Sequence, residues 1–491
     1  MIVLLLFLIP LIGGLLAFFI KNDKTVRSWS MIISIVVLAL SIAANTFIES
    51  ADQLNFSAAW MGTLGSSFSL RLDGLAQILT LLTAVSYPII FLATWKNPYS
   101  KPNNFFGLML LTQAGLMGVF TATDALLFYF FWELVLVPVY FLCSGWGGER
   151  RIQVTFKFFI YTFTGSILML LGLLYLYFQT PDQSFDLESF YSLKLSSATQ
   201  GWLFWLLFIA FAIKMPVFPF HTWQPDTYEQ SPAAVTMVLS GIMVKMGVYG
   251  LIRWVFPVVP SATYAWGDVV SSLAVIGIIY ASILAIQQND LKRLVAYSSI
   301  AHMGLMVLTI FSATHIGMQG VMIQMFSHGV NIIGLWIFVD AIEKQFGTRK
   351  ISDLGGIAAK APVLATLLVV VVLANVSLPL TNAFVGEFSM YTGIFTSVIT
   401  KYNFVFTVAA LISIILVAVY MLRMVRQVFF GVQSETTAFA VDISANQILA
   451  MSALVVLIIF FGVYPQPMLN ITDEFVKSIL AQADLTKFSG R

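Results

Sequence analysis

Apolar windows of about 20 residues, long enough to cross a bilayer as helix, recur along almost the whole chain. They lie near residues 2–20, 30–48, 74–95, 105–122, 125–145, 156–178, 202–221, 232–255, 268–287, 292–311, 316–341, 362–396, 403–430 and 446–464. In hydrocarbon every backbone N–H and C=O must bond within its own segment, so such windows fold as helices. The expected fold class is therefore an all-α polytopic membrane protein with about fourteen transmembrane helices. Composition agrees: 59% of the 491 residues are hydrophobic and 10% are charged, against about 25% charged in soluble domains. The first window, MIVLLLFLIPLIGGLLAFFI, lacks a basic leader and a small-residue cleavage site, and it reads as a first span. Leu54–Leu72 alternates loosely and predicts a small hairpin. The tail after Pro467 predicts a short amphipathic surface helix.

Charge narrows the function. A net charge of +2 offers no footprint for nucleic acid. The single Cys143 excludes an internal disulfide and a cluster held by this chain's own thiolates. No glycine-rich nucleotide loop follows a strand, and the histidines lack the close spacing of a metal site. The chain is expected to hold no cofactor. Lysines and arginines concentrate in alternate loops, such as those with Lys21, Arg150 and Lys344. The opposite side carries fewer, Arg71, Arg253 and Arg491 among them. Basic loops face the cytoplasm, so both termini are expected on the non-cytoplasmic side of the membrane.

Of the 25 lysines and arginines, 23 go to loops and span ends; Lys214 and Lys245 are the two left deep inside predicted spans. Lys214 ends a strongly apolar run, and Pro216 and Pro219 follow at once. Proline removes a backbone donor, so the helix should break beside the charge. A buried charge beside a broken helix is the pattern of an ion path. Pro379 breaks a later span in the same way. Helices four to eight and nine to thirteen make two blocks of five, each with its broken helix fourth. Five is odd, so consecutive blocks have inverted orientation. The expected organisation is residues 1–104 as an N-terminal segment, 105–255 and 256–431 as two inverted five-helix repeats, and 432–491 as the last span and tail.

Two carboxylates join the lysines inside spans, Glu133 in LLFYFFWELVLVPVYF and Glu387 after Pro379. Glu133 and Lys214 would each be driven neutral alone and would keep each other charged if brought together. That pair reads as a switch or as a static tie between helices. Lys245, among Gly241, Gly247 and Gly250, reads as a proton-exchanging lysine or as one that snorkels to an interface. His302 and His328 lie on consecutive spans and read as relay groups or as helix–helix hydrogen bonds. Asp124, near the outer start of its helix, is a candidate support for Lys214 or Glu133. His221, at the end of the broken helix, is a candidate anchor. His315 falls in an outer turn with no role expected. In chain order Glu133, Lys214, Lys245, His302, His328 and Glu387 would form a lateral proton wire at mid-membrane depth.

The stretches FFWELVLVPVYF, AFAIKMPVFPFHTWQPDTYEQSP, GIMVKMGVYGLIR, QNDLKRLVAYSSIAHMG and FVGEF resemble the antiporter-like membrane subunits of respiratory complex I, over about residues 70–430. Similar chains occur in Mrp-type antiporters and membrane-bound hydrogenases. The length and Glu387 resemble the M-type branch, where L-type and N-type relatives carry lysine. The resemblance implies that the six residues form the family's central proton axis and that the broken helices are its seventh and twelfth. It retains Asp226 of the family's PD dipeptide, while Thr227–Gln230 vary and imply no role. It further implies proton translocation as one subunit of NADH:quinone oxidoreductase. Flavin, iron–sulfur clusters and quinone would then sit in partner subunits, and L-type and N-type neighbours and lipid would surround the chain. A cation/proton antiporter subunit and a membrane scaffold whose buried charges only fix helix register are the alternatives.

Overall fold

The computed structural model describes residues 1–48 and 51–489; Arg491 lies outside them. Helices α1 (Ile2–Ala17) and α2 (Asp23–Thr46) precede a hairpin of β1 (Asn55–Met61) and β2 (Ser66–Arg71). Next come α3 (Gly74–Ala93), α4 (Pro102–Thr121), α5 (Ala125–Trp146), α6 (Arg151–Gln179) and the short α7 (Leu187–Tyr191). The first broken helix is α8 (Ser197–Lys214) with α9 (Trp223–Gln230). Then follow α10 (Ala233–Val255), α11 (Pro260–Gln287), α12 (Leu291–Ile310) and α13 (His315–Phe346). The second broken helix is α14 (Pro362–Asn375) with α15 (Asn382–Phe395). Helices α16 (Asn403–Val428), α17 (Ala445–Val463) and α18 (Gln466–Ala483) close the chain. Among the described residues 12 helices are long and apolar enough to span, and α1 and α14 are shorter apolar helices. Every predicted window holds one of these.

The helices sort by exposure. The apolar windows of α10 and α13 are 100% buried, and that of α17 only 22%. A helix apolar all round belongs in an interior, whereas the outer helices present Phe404, Ile415 and Val456 outward, as contact with lipid requires. The hairpin is antiparallel, pairing Asn55 with Arg71 and Ser57 with Ser69. The amphipathic tail helix α18 does more than lie on the surface. It buries Met468, Phe475, Val476 and Ile479 against α3 and α13, and His315 reaches Asp473 on it at 3.1 Å. His315 is thus a tie between α13 and α18.

Both breaks fall where the prolines predicted. After Lys214 the chain turns through Pro216 and a cis Phe218–Pro219 bond before α9 begins. Breaking a helix orphans carbonyls, and here the Trp223 indole N–H donates to Ile213 O at 2.9 Å. In the second break Ser377 and Leu380 adopt φ of 57° and 73°, a region that side chains disfavour. Helix α17 presses on that segment: a Cβ on Gly462 would stand 2.2 Å from Leu380 O.

The interior α10 packs directly on the end of α8. A Cβ on Gly247 would lie 2.6 Å from Phe211 O and 2.7 Å from Met215 Cβ. Backbone cannot yield as a flexible side chain does, so Gly247→Val is expected to cost about 1–3 kcal/mol. The melting temperature of the purified protein in detergent measures this; an unchanged value would show that the contact is dispensable.

Candidate functional site

Lys214 is 2% exposed, and its Nζ has no hydrogen-bond partner in the protein. It sits 5.2 Å from the centre of the Trp132 ring, a cation–π approach that partly offsets its burial. Glu133 follows Trp132 on α5, half-buried, with Oε1 buried and unbonded. Glu133 and Lys214 make no ion pair: no Glu133 oxygen lies within 4.0 Å of Lys214 Nζ. The expected contact pair is open.

Asp124 supports neither of them. It is the N-cap of α5, accepting from Leu127 N at 2.9 Å, and it accepts from Ser66 Oγ and Ser67 N, each at 2.9 Å. It therefore ties the start of α5 to the hairpin. His221 lies in the first break, stacked on Phe218 at 5.7 Å and edge-on to Tyr280 at 5.3 Å.

Lys245 is 0% exposed and does not snorkel. It lies on α10 between two π-helical turns, Leu239–Met243 and Leu251–Val255. Such turns shift the ladder by one residue, and Val244 N bonds Leu239 O at 3.2 Å. Lys245 Nζ then donates to Ser240 O at 2.9 Å and meets His328 Nδ1 at 2.8 Å. With Lys245 as an ammonium, which only donates, His328 Nδ1 is the acceptor and its ring proton is on Nε2; with Lys245 neutral, Nδ1–H can donate instead.

The row continues without a break in contact. The His328 and His302 rings lie 5.4 Å apart, and His302 Nδ1 is 3.2 Å from Glu387 Oε1. Gln324, one turn before His328, donates to the same oxygen at 3.1 Å. Close packing permits this, because a Cβ on Gly386 would meet Gln324 Oε1 at 2.7 Å. The Nε2 atoms of both histidines are buried without a protein partner. The structure thus brings Lys245, His328, His302 and Glu387 together from α10, α13, α12 and α15. Lys214 and Glu133 form a separate group beside the first break. Among the described residues no three His, Cys, Asp or Glu converge as a metal site needs.

The PDTYE stretch, given no role from sequence, holds an ion network at the basic face. Glu229 is within 3.1 Å of Arg150, 3.0 Å of Arg293 and 3.6 Å of Arg349. Asp226 pairs with Lys157 at 2.8 Å and Arg293 at 3.2 Å. Burial raises the Asp226 pKa, but those two cations outweigh it and hold the carboxyl below its usual value. The signal was two acids three residues apart facing loops rich in arginine. Gln324 could be found from its i−4 spacing to His328.

A family profile described as NADH:quinone oxidoreductase/Mrp antiporter, TM, matches residues 122–416, the stretch from Asp124 to beyond Glu387. The chain belongs to this family of antiporter-like membrane subunits. Among its relatives is F(420)H(2) dehydrogenase subunit M of Methanosarcina mazei, 35% identical over 491 residues, with 98% of each chain covered. NADH-quinone oxidoreductase subunit M of Pseudomonas aeruginosa is 36% identical, with 95% of each chain covered. A chain of respiratory complex I from Thermus thermophilus superposes with a TM-score of 0.88 at 26% identity, covering 98% of this chain and 100% of that one. The Mrp complex of Dietzia matches with a TM-score of 0.82 at 21% identity over 99% of this chain and 55% of that one, which is likeness of fold. This antiporter-like subunit is a multi-pass membrane protein.

The structural role of Asp124 is testable. Asp124→Ala removes the cap and both hairpin ties and is expected to cost about 1–2 kcal/mol, with Asp124→Asn milder because asparagine also caps. Melting temperatures in detergent give the order; equal losses for the two would refute the capping role.

Proposed function

We propose that this chain moves protons across the membrane as the M-type antiporter-like subunit in the membrane arm of a proton-translocating NADH:quinone oxidoreductase. The observation that carries the reading is the contiguous buried row Lys245–His328–His302–Glu387. Four titratable groups that touch one after another suit proton transfer. Electrons would pass through flavin, iron–sulfur clusters and quinone in partner subunits, and the electron donor would be bound there as well. The full-length identity to M subunits supports this over an Mrp-type antiporter or hydrogenase-related subunit, for which the likeness is one of fold.

The proposed cycle starts at Glu133, which is half-buried on the flank of α5. A charge change in an adjoining antiporter-like subunit alters how strongly Glu133 holds the Lys214 ammonium. Closed, the pair keeps Lys214 protonated; open, Lys214 is free to pass its proton toward Lys245. Lys245 delivers to His328 Nδ1. The Nε2 atoms then serve transfer between the rings, directly or through one water, and His302 Nδ1 delivers to Glu387. Release from Glu387 is to the outside, and its charge acts on the next subunit. We assign L-type and N-type subunits as the neighbours. The basic loops support a cytoplasmic placement for their side, with both termini outside, in an energy-transducing bacterial membrane. The breaks at the fourth helix of each five-helix block support two inverted repeats.

Lys214→Ala in the assembled complex is expected to leave quinone reduction running while lowering proton pumping by about 10²-fold, the scale of a lost acid–base group. Dye-quenching in sealed vesicles reads it, and full pumping would overturn the scheme. Purification of the native complex separates the rivals: flavin and iron–sulfur proteins should co-purify, not small antiporter subunits.

A further inference from the structure

Gln324 touches the proposed proton row and carries no proton in it. It lies on α13 one turn before His328 and is 1% exposed. Its Nε2 donates to Glu387 Oε1 at 3.1 Å, the same oxygen that His302 Nδ1 meets at 3.2 Å. One carboxylate oxygen thus faces two groups, one on α12 and one on α13. The far end of the amide, Gln324 Oε1, is buried without a donor. Glycines make the reach possible. A Cβ on Gly393 would lie 2.4 Å from Gly317 Cα, and one on Gly320 would lie 2.8 Å from Gly386 O, so α13 and α15 meet backbone to backbone beside Gln324.

Packing alone does not call for glutamine there. On an interior helix an apolar side chain of that length fills the space without burying an amide, which is costly unless both its ends are bonded. An amide holds a donor and an acceptor in one plane, and the torsion that turns it is roughly two-fold. A half-turn therefore puts Oε1 where Nε2 now sits, within the same volume. The present state suits a carboxylate, which only accepts. The turned state suits a carboxylic acid, whose O–H needs an acceptor.

We propose that Gln324 is a positioning residue that latches the proton on Glu387 by turning its amide from donor to acceptor. Transfer from His302 breaks the Nδ1–H bond and forms an O–H bond at Glu387 Oε1. The imidazolium becomes a neutral imidazole, the carboxylate becomes a neutral acid, and no charge is left over. The new O–H then has two acceptors in reach: His302 Nδ1 and, after the half-turn, Gln324 Oε1. A bond to Nδ1 leaves the proton on the path back to the histidine. A bond to the amide oxygen points it away, and a second half-turn must precede its return. Release from Glu387 restores the carboxylate and returns the amide to its donor state. Gln324 itself neither gains nor loses a proton. The inference rests on the proposed function in that Glu387 must take a proton from His302.

The assembled complex in sealed vesicles gives pumping per quinone reduced. Its redox-induced infrared difference spectrum gives the carboxyl C=O band of Glu387, identified as the band lost in Glu387→Gln. Gln324→Met keeps the length of the side chain and removes both hydrogen-bonding ends. It is expected to lower pumping per quinone by about tenfold, the effect of one lost hydrogen bond to a charged group. It is also expected to move the Glu387 band to higher frequency, as happens when an acid O–H loses its acceptor. A glutamine that only ties α13 to α15 would not move the band. A band in its parental place, or parental pumping with a shifted band, overturns the latch. Should Gln324→Met fail to assemble, Gln324→Asn decides, since it is smaller and draws the amide back by one methylene; the same two changes are expected of it. If Glu387→Gln abolishes pumping while Gln324→Met pumps normally, the latch is refuted and the proposed function stands. Normal pumping by Glu387→Gln refutes both.

Discussion

The 2.8 Å contact between Lys245 Nζ and His328 Nδ1 is the interaction around which the interior is built. It joins α10 and α13, the helices whose apolar windows are wholly interior. An ammonium there costs at least a few kcal/mol unless it is bonded. Two acceptors supply the bonds, the imidazole and the Ser240 carbonyl within the π turn. In that turn the ladder is shifted, with Val244 N bonding Leu239 O, and the second lysine bond falls inside it. Satisfying Lys245 through His328 fixes the rotation of α13, and that rotation aims Gln324 at Glu387.

The two helix breaks have unequal contents. The first ends on Lys214, whose ammonium has a ring face and no acceptor. The second ends on Asn375 and places Glu387 past the break, where His302 and Gln324 both reach its Oε1. The carboxylate end of the row is bonded; the lysine end is not. An unsatisfied buried charge is the side of such an arrangement with most to gain from movement, so a driving change is better received near Lys214 than near Glu387.

Much of the fold was legible in the sequence because the bilayer makes spans long, apolar and helical, and because Pro216, Pro219 and Pro379 announce the breaks. The identities of the buried ionisable groups were legible for the same reason, since charge stands out against hydrocarbon. Their pairing was less so. Whether Lys214 touches Glu133, or Asp124 touches either, depends on how α5 and α8 are rotated about their axes. Asp124 turned toward the hairpin through Ser66 and Ser67, which helical periodicity does not reveal. The π turns around Lys245 and the Gln324 bond likewise arise from tertiary packing. Glu229 lies in a stretch that varies in the family and so implied no role, and its partners are scattered in sequence from Arg150 to Arg349.

That scattered network explains how the first break can work as a joint. Exposed ion pairs are each worth little, about 0–1 kcal/mol, but Glu229 is only 13% exposed and meets three arginines from separate segments. Asp226, one turn earlier, adds Lys157 and shares Arg293. Helix α9 is thereby fixed to α6, α12 and the loop after α13. Helix α8 is packed on α10 along Gly247 and has no such tie at its charged end. Any displacement of Lys214 relative to α9 must then be absorbed between Lys214 and Trp223, where turn bonds such as Val217 N to Ala212 O and the indole bond to Ile213 O take the place of a regular ladder. The charge without a partner is thus set at the end of its helix, beside the break.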